Sequence, residues 1–235
     1  VKAFDISSTE NSFTPASIEP EAGKERRSPP ASLYARGGKR LLDLILVSLL
    51  LPLFLPLIAL LWILTRLDGG PGFYGQKRVG LDGRTFNCWK IRTMVMNAEK
   101  VLQDLCDSDP EIAREWHENQ KLAVDPRITP IGGFLRATSL DELPQIWNVI
   151  RGEMSFVGPR PFMTSQEPLY RAAGGTAYYD LRPGITGSWQ VDGRGVTTFV
   201  ERVAYDEDYL ASLSLREDLR LVWQTVVVLL KRTGH

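Results

Sequence analysis

Leu44-Ile45-Leu46-Val47-Ser48-Leu49-Leu50-Leu51-Pro52-Leu53-Phe54-Leu55-Pro56-Leu57-Ile58-Ala59-Leu60-Leu61-Trp62-Ile63-Leu64 runs without a single charged residue. At about 1.5 Å rise per residue, roughly 20 such residues match the hydrocarbon thickness of a bilayer. A spanning helix is the simplest reading. Two features argue for another. Pro52 and Pro56 lie mid-segment, where each removes a backbone donor and crowds the preceding turn, so a kink is expected. Basic residues flank both ends, Arg36, Lys39 and Arg40 before and Arg66, Lys77 and Arg78 after, which favours both ends on the cytoplasmic side. A kinked hairpin that enters and leaves one leaflet satisfies both constraints, so the spanning and re-entrant readings stay open. The core helix of a soluble protein ranks third. Asp43, at the head of the run, has helical spacing for an ion pair with Lys39 or Arg40.

Upstream of this segment, residues 1–32 are polar and rich in Ser, Pro and Glu, with no helical or strand period. Such a stretch buries too little apolar surface to offset its ordering, and it reads as a flexible tail. Lys and Arg together number 28 and so do Asp and Glu, so the net charge of zero gives no electrostatic case for nucleic acid. Two cysteines, Cys88 and Cys106, lack metal-ligand spacing, and two isolated histidines, His117 and His235, argue against a His-based centre.

Downstream, residues 72–94 alternate loosely around Gly80-Leu81-Asp82-Gly83, as a short hairpin would. Asn97 is placed to cap a helix interrupted near Pro110, and short helices are expected at Gly132–Ala137 and Leu140–Ile150. Residues 152–161 read as irregular, and a short strand is expected at Trp189–Val191. Leu215–Arg232 is apolar on one side and basic at its end, like a helix lying on a membrane surface. No glycine-rich phosphate loop supports a nucleotide-binding doubly wound fold.

The chemistry concentrates in Thr138-Ser139-Leu140-Asp141-Glu142-Leu143-Pro144-Gln145 and in Gly158-Pro159-Arg160-Pro161. Ser139 and Glu142 have the spacing of a capping box, which needs no function. The functional alternative rests on Pro144, which denies the pair an ordinary helix interior. A carboxylate can attack phosphorus or hold a divalent metal, while arginine neutralises phosphate oxygens. A nearby helix N-terminus would keep Asp141 ionised. Arg127, Arg136, Arg160, Arg182 and Arg194 sit beside Pro or Gly or at helix ends. Each alone reads as structural, and together they fit a diphosphate clamp as readily.

These blocks, with Lys39-Arg40-x-x-Asp43, Asp125-Pro126-Arg127-Ile128-Thr129 and Arg182-Pro183-Gly184-Ile185-Thr186-Gly187, resemble the bacterial sugar transferase family, the monotopic phosphoglycosyl transferases, over about residues 39–232. The resemblance implies transfer of a sugar-1-phosphate from a UDP-sugar to polyprenyl (undecaprenyl) phosphate with release of UMP, the first membrane step of exopolysaccharide or glycan assembly. It implies Asp141 as nucleophile, through a phosphosugar–aspartyl intermediate, and Glu142 as ligand of Mg2+. Lys90, Arg92, Arg136 and Arg160 would contact phosphates or uridine, with Arg127 and Arg182 as further phosphate candidates. A hexose is the better match than an acetamido sugar.

The resemblance also implies a re-entrant helix broken at Pro56, although Leu55 stands where some members carry serine, which leaves Pro52 as the competing break. The expected fold is α+β and mainly helical, with a re-entrant membrane hairpin, interfacial amphipathic helices and a small β-hairpin. Its divisions would be a tail at 1–32, an anchor at 33–66 and a catalytic domain at 67–235, on the cytoplasmic face of the bacterial inner membrane. The short tail resembles the minimal members, and a homo-oligomer is left open. The competing reading from another class is a catalytically silent membrane scaffold. A hydrolase with water as acceptor is a third.

Overall fold

The computed structural model describes residues 31–119, 122–193 and 197–230. The tail expected at 1–32 falls almost wholly outside the described residues, as do Arg194 and Arg232. Helices dominate, beginning with α1 at Lys39–Arg66. The hairpin follows as β1 (Phe73–Val79) and β2 (Thr85–Ile91), antiparallel and in register from Phe73 opposite Ile91 to Val79 opposite Thr85. Its turn is where Gly80-Leu81-Asp82-Gly83 requires it, with Asp82 at φ 57° and Gly83 at φ 75° in the left-handed region these residues tolerate. Next come α2 (Ala98–Ser108) and α3 (Pro110–Asn119), broken before Pro110 as expected. Asn97 precedes α2, but its side chain makes no capping hydrogen bond.

Beyond them lie α4 (Pro130–Thr138), α5 (Gln145–Arg151), β3 (Ser155–Val157), α6 (Glu167–Ala172), β4 (Gly184–Thr186), α7 (Arg202–Ser212) and α8 (Leu215–Leu230). Two expectations change here. Residues 152–161 are not wholly irregular, because Ser155–Val157 forms a parallel pair with Gly184–Thr186. The strand expected at Trp189–Val191 is instead a π-helical turn, Trp189–Gly193. The first difference arises from a pairing between segments far apart in the chain, where local alternation carries no signal. The two strands approach so closely that a Cβ on Gly184 would lie 2.1 Å from the Gly158 nitrogen.

One candidate membrane helix, Tyr34–Arg66, is present among the described residues, with 17% of its most apolar window buried. Helical structure runs unbroken through Pro52 and Pro56, so neither proline separates two helices. Ser48 Oγ donates to the Leu44 carbonyl at 2.8 Å, one turn away from the carbonyl that Pro52 leaves without its donor. Val47, Leu51, Phe54, Ile58 and Leu61 recur at alternating four- and three-residue steps and pack on Cys88 and Ile91 of β2, Leu135 of α4 and Ile146 and Val149 of α5. The opposite side presents Leu49, Leu53, Leu55, Leu60 and Ile63 outward.

Both ends of α1 are fastened to the same body. Near the start, Arg40 donates to the Val149 and Ile150 carbonyls at 2.6 and 2.9 Å, in the last turn of α5. Asp43 accepts from Ser155 Oγ at 2.8 Å and the Phe156 amide at 2.9 Å, while Lys39 and Arg40, the partners expected from helical spacing, act on it electrostatically. Lys39 reaches Asp218 of α8 at 2.6 Å. At the far end, Arg92 donates to the Thr65 carbonyl at 3.1 Å.

Candidate active site

α4 ends at Ser139, whose φ of 56° places it in the left-handed region. The capping box is therefore absent: Ser139 terminates the preceding helix, and its side chain caps nothing. A 3-10 turn, Leu140–Glu142, follows, and Pro144 then opens α5. The tight turn directs Asp141 and Glu142 from consecutive positions toward one cation, Lys90 of β2. Its ammonium lies 2.8 Å from Glu142 Oε1 and 3.8 Å from Asp141 Oδ2. Arg160 approaches Glu142 Oε1 at 3.5 Å. Arg78, Cys88, Lys90, Glu142, Gln145 and Arg160 share the lining of one shallow cleft.

Asn148 sets the height of Lys90 over this turn. Completely buried on α5, it accepts from the Trp89 amide at 3.1 Å and donates to the Asn87 carbonyl at 2.7 Å. One side chain thus clips β2 to α5 on either side of Cys88, and Lys90 emerges beside the acidic pair.

Asp141 is buried, and burial raises its carboxyl above the ordinary range, with Glu142 adding to the effect; Lys90 and Arg136 pull the other way. The sequence argument, that a helix end would keep this group low, is corrected by the turn's desolvation. Burial likewise pushes the Cys88 thiol up to about 11, so it is a protonated, apolar wall of the cleft.

The arginines divide. Arg160 joins the acidic pair, and Arg136 acts on Asp141 electrostatically while its Nε donates to Thr93 Oγ1 at 2.9 Å. Arg92 does not join them. Its guanidinium is engaged by the Pro71, Met94 and Thr65 carbonyls and by Asp68. Arg127 forms a fork with Asp125 at 2.8 and 2.7 Å and lies 4.9 Å from the Trp116 ring centroid. Arg182 donates to the Gly152 carbonyl at 2.9 Å. These three make their described contacts within the fold, and none of those contacts reaches the acidic pair.

Sequence reasoning missed Asn148 as a clip and Arg78 as part of the cleft wall. Position 148 carries no local signal. Arg78 stands at the end of β1, next to the buried Val79, and that boundary was its one clue.

Among the described residues no group of three His, Cys, Asp or Glu side chains could hold a metal. A magnesium ion needs no such cage, since it is commonly held by one or two carboxylates together with substrate phosphates and water. The Asp141–Glu142 pair fits that donor set.

The profile of the bacterial sugar transferase family matches residues 34–232. A UDP-galactose-lipid carrier transferase of Erwinia amylovora is 47% identical over 83% of this chain and 41% of its own length. An undecaprenyl-phosphate galactose phosphotransferase of Salmonella typhimurium is 43% identical over 87% of this chain and 43% of its own. The exopolysaccharide production protein ExoY of Rhizobium meliloti is 41% identical over 94% of this chain and 95% of its own. The chain thus spans less than half of the first two relatives and nearly all of the third. With that match and the acidic pair in place, the chain belongs to the bacterial sugar transferase family.

Proposed function

We propose that this protein transfers a sugar-1-phosphate, from a hexose, out of a UDP-sugar onto polyprenyl phosphate and releases UMP. The observation that carries the reading is the convergence of Asp141 and Glu142 on Lys90, with Arg160 alongside. The names of the Erwinia and Salmonella relatives support the substrate class.

In this mechanism an Asp141 carboxylate oxygen attacks the phosphorus that bears the sugar, and the bond to the UMP oxygen breaks. A phosphate oxygen of the lipid then attacks the aspartyl phosphosugar and restores the carboxylate. Lys90 holds both acidic side chains in place and, with Arg136, opposes the rise that burial imposes on Asp141. Arg160 and Arg78 bring positive charge to oxygens that gain negative charge in phosphoryl transfer. Glu142 would hold a magnesium ion, which would supply further charge neutralisation.

The anchor is read as re-entrant. What supports this reading is that both ends of α1 are fastened to one folded body, which favours entry and exit on the same side of a bilayer. The outward row of Leu49, Leu53, Leu55, Leu60 and Ile63 enters one leaflet. α8 lies at the same surface, because Leu215, Leu219, Trp223 and Val226 face outward while Asp218 and Leu221 are buried. The active site then faces the cytoplasm, where UDP-sugars are found.

The test is UMP release by purified protein with magnesium and polyprenyl phosphate across a panel of UDP-sugars. Lipid-dependent release with one hexose is expected. Release at full rate without lipid would replace the reading by hydrolysis, and no release from folded protein would favour the scaffold.

A further inference from the structure

Pro159, Arg160, Pro161 and Phe162 present four successive carbonyls, and each accepts from a different donor. The Gly184 amide of β4 reaches Pro159 O at 2.8 Å, and the Val79 amide of β1 reaches Phe162 O at 3.1 Å. Between them, Arg78 Nη1 donates to Pro161 O at 3.1 Å, and Arg202 Nη2 of α7 donates to Arg160 O. Two backbone donors thus bracket two arginines. The prolines at 159 and 161 have no N–H, so accepting is the way their backbone can be tied down.

Arg202 is built for one orientation. It is 3% exposed, and its guanidinium carbon lies 5.4 Å from the Phe162 ring centroid, 5.5 Å from that of Trp189 and 5.1 Å from that of Phe199. Its Nε has no hydrogen-bond partner among the described residues, and the counter-charge, Asp206 Oδ2, stands 3.9 Å away. Aromatic walls rather than a ring of acceptors hold the guanidinium. Its one hydrogen bond among the described residues is the bond to Arg160, 42 positions earlier in the chain. A buried cation with so little local satisfaction is costly to keep for packing alone.

We propose that Arg202 is a positioning residue for the transfer reaction: by holding the Arg160 carbonyl it fixes the turn from which the Arg160 side chain meets Glu142. This rests on the functional reading above, which supplies the reaction, while the positioning itself is a statement about the turn. Lysine at 202 keeps the charge but loses the planar fork and its place between the rings.

Two measurements test it. The first is a double-mutant cycle on kcat/KM for UMP release with Arg160→Ala, Arg202→Lys and both together. Arg202→Lys is expected to lower kcat/KM by about 10- to 100-fold, the scale of a misplaced catalytic group. In the Arg160→Ala background it should add nothing. Independent, multiplying losses would overturn the proposal, as would full activity in Arg202→Lys.

The second is hydrogen exchange of the same proteins, which reads the turn whether or not any sugar nucleotide is turned over. Protection of the Val79 and Gly184 amides is expected to fall in Arg202→Lys, with α8 unchanged. Unchanged protection at both amides would sink the proposal. If the wild type releases no UMP, the functional reading fails, and the exchange result alone decides the positioning claim.

Discussion

Arg92 and Arg160 are indistinguishable by type, and both sit near the hairpin or a proline turn, yet the fold uses them in opposite ways. At the joint between α1 and the hairpin, Arg92 is enclosed, with three carbonyls and a carboxylate around it. At the cleft, Arg160 shares the Glu142 carboxylate with Lys90, which also faces Asp141. The lesson is one of donor accounting. A guanidinium ringed by acceptors of its own chain has few donors to spare, and one that shares a single carboxylate at a cleft keeps donors for an added anion.

The comparison breaks most visibly at Asp141. Asp141→Asn is expected to lower kcat by about a thousandfold or more, as loss of a nucleophile does. Its melting temperature should not fall, because burial already disfavours the charge that the substitution removes. Residual turnover near wild type would mean the cleft is not the reacting centre. Arg92→Met tests the other side. It should destabilise the protein by about 3 kcal/mol in chemical denaturation, since it leaves buried acceptors without a donor. The folded fraction should keep its kcat/KM, and a selective loss of turnover would return Arg92 to the site.

A smaller effect sharpens the electrostatics of the pair. Lys90 lowers the Asp141 carboxyl, so Lys90→Met should let it rise further. The nucleophile is the ionised form, so the acid limb of the kcat/KM profile should move to higher pH. A limb that stays put would exclude Asp141 as the group it reports.

The smallest effect concerns Asp206, enclosed beside Arg202, where burial pushes the carboxyl up to about 7 despite Arg202 and the Tyr170 hydroxyl. The folded state then binds this proton more tightly than the unfolded chain does. Stability from this group is complete below the ordinary carboxylate range and declines as pH rises toward about 7. Its slope is at most about 1.4 kcal/mol per pH unit, one proton's worth. Asp206→Asn should flatten the stability profile over that window, and an unchanged slope would assign it elsewhere.

What could be read from the chain beforehand follows the range of the interaction responsible. The hairpin turn is written locally in Gly80-Leu81-Asp82-Gly83, and the helix break in Pro110. Asp141 and Glu142 stood out because Pro144 makes their setting abnormal within a few residues. Ser139 misled, since its capping-box spacing is satisfied equally by a left-handed terminus, and nothing within those four residues distinguishes the two. The parallel pairing of β3 with β4, the Asn148 clip and the bond from Arg202 to Arg160 have no local trace at all. Arg92 is similar, since three of its four acceptors, Thr65, Asp68 and Pro71, lie 21 to 27 residues earlier.

The fastening of α1 has a consequence for the order of events during synthesis. Asp43 waits for Ser155, 112 residues later, and Lys39 waits for Asp218, 179 residues later. At about 5–20 residues per second on the ribosome, these closures lag the emergence of the helix by roughly five seconds at the shortest and half a minute at the longest. When the helix first emerges, none of the residues that later cover its inner face, from Cys88 to Val149, has been made. The nascent helix is therefore expected to meet the lipid first. The contacts that later hold its two ends together close over a segment whose topology has already been chosen.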